Sequence, residues 1–146
     1  MRKLVFAISA LALATSAAFA DPIAERQALM KANGKAMKEL TAFVKGEAAY
    51  DAVAVLAALT KLHEDASKMD PATLWPAGTE TGGDTTSSPK IWEDPAGFQA
   101  AIDKFKADAA AAVAAAPADV DALKAQMGVV GSNCGGCHET FRIKKG

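Results

Sequence analysis

The sequence predicts an all-α fold, an antiparallel four-helix bundle, and three observations predict it. Apolar residues recur at intervals of three and four over four separate segments of the 146-residue chain. Alanine is abundant and β-branched residues are sparse, which favours helices. Glycine and proline cluster between the segments, and no alternation of strands with helices appears. The core of such a bundle can hold a cofactor between facing helices.

The first two helices are expected at about 22–46 and 50–70. Asp21 is placed to cap the first helix, with Pro22 in its first turn. Its apolar stripe recurs every seven residues, with Leu40 in between: Ile23, Met30, Met37 and Val44. In the second helix a single stripe runs from Ala52 to Met69.

The second half of the chain begins with a long connection, residues 71–94, which is rich in Gly, Thr, Ser and Pro. We expect a helical turn at 71–75 and two anchoring tryptophans, Trp75 and Trp92. The third helix is expected at about 95–116, up to the break at Pro117, and the fourth at about 119–144. The apolar stripe of the fourth helix passes through both cysteines of the chain, which places them on its core face.

The N-terminus has the pattern of a secretory signal peptide over residues 1–20. A basic start, Arg2 and Lys3, is followed by a short apolar run and by small residues up to Ala20. This predicts a mature domain of 21–146, exported to the periplasm as a soluble protein without a transmembrane segment. The net charge is −1, so the composition argues against nucleic-acid binding.

The stretch "CGGCH" at 134–138 is the motif that indicates which chemistry the protein performs, and it allows four interpretations. A thioredoxin-like dithiol needs a strand leading into a helix, zinc lacks a further ligand pair, and a disulfide closing so small a loop would stabilise little. Covalent haem attachment accounts for every residue of the motif. Cys134 and Cys137 would form the thioethers, and His138 would be the proximal iron ligand.

With these residues, the chain resembles the class II cytochromes c, which comprise cytochromes c′ and low-spin cytochromes c-556. The matching stretches are "RQALMKANGKAMKEL", "KGEAAYDA", "PAGTET", "SSPKIWED" and "CGGCHETFR", and the likeness is closest to the c-556 branch. The resemblance implies a four-helix bundle with one covalently bound haem c in it and the CxxCH motif on the C-terminal helix.

The resemblance also implies roles for three further residues. Arg26 matches an arginine at the haem edge, where a guanidinium can pair with a propionate, and Arg142 matches a basic residue near the proximal histidine. Met30 matches the methionine that binds iron in cytochromes c-556, which would give a low-spin electron carrier. The alternative is a five-coordinate, high-spin cytochrome c′ that binds NO or CO, with Met30 only covering the distal face.

The remaining expectations concern partners and other single residues. No acid–base pair is poised for catalysis, so the chain is not expected to be an enzyme. Its partners would be redox donor and acceptor proteins, and it would be a monomer or a homodimer. Met37 and Met127 are interpreted as core residues, and His63 as a solvated surface histidine.

Overall fold

Six helices follow one another along the part of the chain that the structure describes, residues 21–144 of a computed structural model. In chain order they are α1 Pro22–Val44, α2 Ala52–Ser67, α3 Pro71–Leu74, α4 Lys90–Glu93, α5 Pro95–Ala115 and α6 Val120–Phe141. The predicted signal peptide, residues 1–20, lies outside the described residues.

The four long helices pack as a closed ring in which each contacts two others. α1 packs against α2 and α6, and α5 packs against the same two helices. The predicted all-α, four-helix bundle is confirmed. Among the described residues, no helix is both long enough and apolar enough to cross a membrane.

Every long helix begins with an aspartate cap, which fixes where it starts. The side chains of Asp21, Asp51, Asp94 and Asp119 accept hydrogen bonds from backbone N–H groups of the first turn. Each cap of this kind stabilises a helix by about 1 kcal/mol. The α1 and α5 caps are followed by Pro22 and Pro95, whose missing N–H costs nothing at that position.

The buried face of α1 differs from the predicted one. Ile23, Met30, Met37 and Val44 are only half-buried. Leu40, which the sequence places on the stripe, is buried as predicted. The other buried positions lie on a face rotated from the stripe, and two of them are polar: Arg26, Asn33, Ala36 and Phe43. The apolar pattern therefore marks the border of the core in α1, because its centre is occupied in part by polar side chains.

One end of the bundle is held by a tyrosine. Tyr50, between α1 and α2, donates its hydroxyl hydrogen bond to the carbonyl of Pro117, between α5 and α6, at 2.5 Å. Its ring packs edge-on against Phe43, with centroids 6.1 Å apart. α5 ends just before this contact, at Ala115. The next residue, Ala116, has a φ of 40°, in the left-handed region. The opposite end of the bundle, where α1 begins and α6 ends, holds the candidate site.

Candidate haem site

A cavity of about 400 Å³ lies between the start of α1, the end of α6 and the connection from α2 to α5. Its volume is within the range of small-molecule and cofactor sites. Five of the six residues predicted for the site line it: Arg26, Met30, Cys137, His138 and Arg142. The sixth, Cys134, is not among its lining residues. The fold thus brings together side chains about a hundred positions apart in the sequence.

The two cysteines lie one turn apart on α6, and both are free thiols. Both are half-buried, and Cys137 packs against the hydrophobic core. The Cys134 thiol donates to the carbonyl of Val130, with 3.6 Å between sulfur and oxygen. Burial raises the pKa of both thiols, and for Cys137 the neighbouring Cys134 raises it further. Two thiols at this spacing can bond to two points of one flat cofactor.

His138 follows directly in the same helix and lies between two concave surfaces. It lines the main cavity and also a smaller one of about 250 Å³, which Glu139, Arg142 and Lys144 help to form. Partial burial of the imidazole lowers its pKa, and the positive charge of Arg142 lowers it further. The lowered pKa favours the neutral imidazole, which is the form that coordinates a metal ion.

Met30 approaches the same cavity from α1, and its side chain is half-buried against the core. The other two methionines weighed from the sequence, Met37 and Met127, also pack against the core but do not line the cavity. His63 does not line it either. His63 is half-buried, and its Nδ1 is buried without a hydrogen-bond partner, so it is less solvated than the sequence predicts.

Arg26 is nearly inaccessible, with 3% of its surface exposed. Its Nη1 donates to the carbonyl of Leu74 and the hydroxyl of Thr79, both at 3.0 Å. Its Nη2 donates to the Thr79 carbonyl at 2.7 Å and to the Thr85 hydroxyl at 2.9 Å. Burial lowers the pKa of Arg26, against the raising effect of Asp21 and Glu80. Four hydrogen bonds to one loop were not predicted from the sequence, in which Arg26 was assigned to a propionate alone.

The Arg26 Nε–H group is buried and has no hydrogen-bond partner in the described part of the chain. A buried donor on a cation that forms no ion pair within residues 21–144 favours an anionic or polar ligand atom at this point. Because Nη1 and Nη2 are already used, Nε–H is the donor that remains for a carboxylate in the cavity.

The connection from α2 to α5 forms one wall of the cavity and is hydrogen-bonded to α1 and to the end of α6. Gln27 of α1 donates to the Gly83 carbonyl at 2.7 Å. Gly83 has a φ of 52°, and a Cβ there would lie 2.9 Å from the side chain of Ile23. A larger residue at position 83 is therefore excluded both by backbone conformation and by the close approach of α1.

The end of α6 is fastened to the same connection through a short antiparallel bridge between Ser87 and Arg142. Ser88 N–H donates to the Phe141 carbonyl at 3.0 Å, and Ile143 N–H donates to the Thr86 carbonyl at 2.8 Å. Arg142 also donates from Nε to the Thr86 hydroxyl at 3.3 Å. Arg142 thus lines the cavity beside His138 and also holds the loop. The expected fourth helix at 119–144 was too long, since α6 ends at Phe141 and the backbone of Arg142 is extended.

An aromatic wall completes the cavity, and the sequence interpretation missed most of it. Trp75, Phe98 and Phe141 line the cavity together with Met69 and Ile91. Trp75 and Phe98 pack edge to face at 4.8 Å, and Phe98 and Phe141 at 5.1 Å. Trp75 Nε1 donates to the Ser87 hydroxyl at 3.1 Å, which fixes its ring. Phe98 and Phe141 are typical core residues in the sequence pattern, because nothing in their spacing distinguishes them. The sequence indicates Trp75 as an anchor of the loop, with a place at the haem edge as the alternative.

The arrangement fits the haem that the CxxCH motif predicts. Two thiols, a neutral imidazole and a thioether are the groups that attach a porphyrin and bind its iron. The apolar wall matches a macrocycle, and the unpartnered Nε–H of Arg26 matches a propionate. The chain has the donors for one haem at this place, and they come from α1 and α6.

Comparisons with known proteins show the family of this chain. The sequence matches a family model described as Cytochrome C′ over residues 21–142. It is 46% identical over 127 residues to a cytochrome c′ of Rhodopseudomonas palustris, covering 86% of this chain and 84% of that protein. It is 42% identical over 155 residues to a cytochrome c-556 of the same species, covering 100% of both. The solved cytochrome c′ from Rhodopseudomonas palustris has a TM-score of 0.81 at 44% identity, covering 87% of this chain and 99% of that one.

Proposed function

Because this chain belongs to the cytochrome c′ family, whose members bind one covalently attached haem c, we propose that it is a periplasmic single-haem electron carrier. In this proposal Cys134 and Cys137 hold the haem, and His138 and Met30 are its two axial ligands. Its partners are redox donor and acceptor proteins, and it carries out no catalysis of its own.

One observation carries the proposal: Met30 and His138 line the same cavity from two different helices. Cys137, adjacent to His138, lines it as well, so the attachment point and both candidate ligands border one space. Met37, two turns further along α1, does not. Of the methionines weighed as ligands, Met30 is therefore the one whose position supports ligation. Met69 also lines the cavity, but it is a core residue with 4% of its surface exposed.

When bound, a haem with histidine and methionine ligands supplies an iron that changes between its ferric and ferrous states at a raised reduction potential. The protein residues would bind and orient the haem and shield it from water. The half-buried Met30 side chain is held by core contacts, which limits its loss of conformational freedom on ligation. The aromatic wall of Trp75, Phe98 and Phe141 excludes water and keeps the surroundings apolar.

Export is part of the proposal. The N-terminal sequence pattern supports removal of residues 1–20 and a mature protein in the periplasm.

The optical spectrum of the purified holoprotein tests the ligand assignment. We expect a low-spin spectrum that does not change when carbon monoxide is added, because Met30 fills the sixth position. In Met30→Ala we expect a high-spin spectrum that shifts with carbon monoxide, together with a lower reduction potential in voltammetry. The matched control is Met37→Ala, which removes the same side chain from the same helix and should keep the wild-type spectrum.

A high-spin wild-type spectrum that shifts with carbon monoxide would overturn the assignment. The protein would then be the five-coordinate form that binds small gases, with Met30 as a cover of the distal face. A low-spin spectrum retained in Met30→Ala would place the sixth ligand on another residue.

A further inference from the structure

Three lysines form a stripe on the outer face of α1, beside the cavity. Lys31, Lys35 and Lys38 are spaced by four and three residues, so they share one helix face. All three are exposed, and Lys31 also lines the cavity. We call these three residues the α1 lysine stripe. It begins at the mouth of the cavity and extends along α1 toward the middle of the bundle.

Within residues 21–144 the stripe lysines form no ion pair, a property that they share with Lys45, Lys90, Lys106 and Lys144. Lys61, Lys68, Lys104 and Lys124 each form an ion pair with an aspartate three or four residues away on or next to the same helix. Glu39 follows Lys35 by four positions, yet the two side chains are not within ion-pair distance. What distinguishes the stripe is that its three lysines share one helix face beside the cavity.

The stripe also works against the stability of the helix that carries it. Like charges three and four residues apart destabilise a helix, and the stripe contains one pair of each spacing. No ion pair with a residue in the range 21–144 offsets this repulsion, although the protein as a whole has a net charge of −1. A local excess of positive charge on a slightly acidic protein favours an acidic partner.

We propose that the α1 lysine stripe is the docking surface for an acidic patch on a redox partner protein. The inference rests on the proposed electron-transfer function and names the class of partner. Arg142, which is exposed and lines the same cavity, extends the positive charge across its mouth. Asp84 also lies at the mouth and is the acidic residue among the lining side chains. Docking at this surface brings the partner beside the cavity edge, which shortens the distance for electron transfer.

An acidic protein fits the stripe better than an anionic membrane does. A helix that binds a membrane surface presents large apolar side chains next to its basic ones. In α1 the larger apolar residues face the bundle, and the exposed neighbours of the stripe, Ala28 and Gly34, are small. The α1 lysine stripe therefore presents positive charge but no apolar side chains that could insert into a membrane.

The test is adsorption of the holoprotein to a gold surface coated with a carboxylate-terminated monolayer, measured as adsorbed mass at pH 7. At about 10 mM ionic strength the Debye length is about 30 Å, so an overall acidic protein binds a carboxylate layer only through a local basic face. We expect wild type to adsorb. We expect the K31Q/K35Q/K38Q variant to bind at least about tenfold more weakly.

The matched control is K61Q/K104Q/K124Q, which changes the net charge equally on α2, α5 and α6 and should bind within about twofold of wild type. Equal losses in the two variants, or no adsorption of wild type, would overturn the proposal. So would equally strong, stripe-dependent binding to vesicles of phosphatidylglycerol and phosphatidylcholine. Adsorbed mass does not depend on iron ligation. Failure of the docking proposal is therefore seen in adsorption, and failure of the Met30 ligand assignment is seen in the optical spectrum.

Discussion

The buried arginine of α1 offers the sharpest test of how the cavity wall is held. Replacing Arg26 by methionine keeps an apolar stem of similar length and removes the guanidinium. The variant loses four hydrogen bonds, which run to Leu74, Thr79 and Thr85. We expect the holoprotein to unfold at lower denaturant concentration and lower temperature, because the loop from α2 to α5 loses its main attachment to α1.

The size of the effect follows from the contacts. Four hydrogen bonds to a charged group, at about 1.5 kcal/mol each, contribute about 6 kcal/mol, and release of the desolvated guanidinium returns about 3 kcal/mol. The expected loss in the free energy of unfolding is therefore about 3 kcal/mol. For a domain of this size that corresponds to a fall in melting temperature of about 12 °C.

Urea unfolding of the holoprotein, followed by far-ultraviolet circular dichroism, measures this loss. The matched control is Gln27→Met, which removes a single exposed hydrogen bond from the neighbouring residue to the Gly83 carbonyl. The control should lose at most about 1 kcal/mol. If Arg26→Met lost no more than the control, the buried hydrogen bonds would not be what holds the loop, and the reasoning would be refuted.

Two further predictions concern regions away from the cavity. Tyr50→Phe removes the hydrogen bond to the Pro117 carbonyl and should cost about 1 kcal/mol in urea unfolding while the haem spectrum stays unchanged; a spectral change would contradict the separation of the two bundle ends. Hydrogen bonds from Lys104 and, to a smaller extent, from Asn133 lower the pKa of Asp108. The ionised Asp108 therefore stabilises the fold at pH values above its unfolded-state pKa, and this stabilisation is lost as pH falls through the lower folded-state pKa. Unfolding free energies between pH 5 and pH 2.5 should therefore fall less steeply in Asp108→Asn than in wild type, with Asn133→Ala in between, and parallel curves would rule this out.

The helices could be predicted because their signals are local. Aspartate and proline at 21–22 and 94–95 mark helix starts through contacts within one turn, and the structure has helices beginning at Pro22 and Pro95. The stripe in α5 contains Phe98, which is buried as periodicity indicates. Such patterns depend on side chains a few residues apart, so they can be read without knowledge of the tertiary structure.

The buried face of α1 was predicted only in part, for a physical reason. Hydrophobic periodicity assumes that polar side chains lie outside, and Arg26 and Asn33 lie inside. Arg26 is buried because acceptors in residues 74–85 satisfy it, and those acceptors are about fifty positions away in the sequence. No pattern within α1 indicates them.

The sequence by itself determined the all-α class and the helix starts, and it predicted the haem-attachment role of Cys134, Cys137 and His138, since each depends on residues close together along the chain. Only the tertiary structure decided which side chains share the cavity. It brought Met30 to the space that His138 lines and added the aromatic wall that begins with Trp75. It also gave Arg26 its hydrogen bonds to the loop. The reason is that cavity shape and the satisfaction of buried polar groups depend on contacts between distant segments, which exist only once the helices have packed.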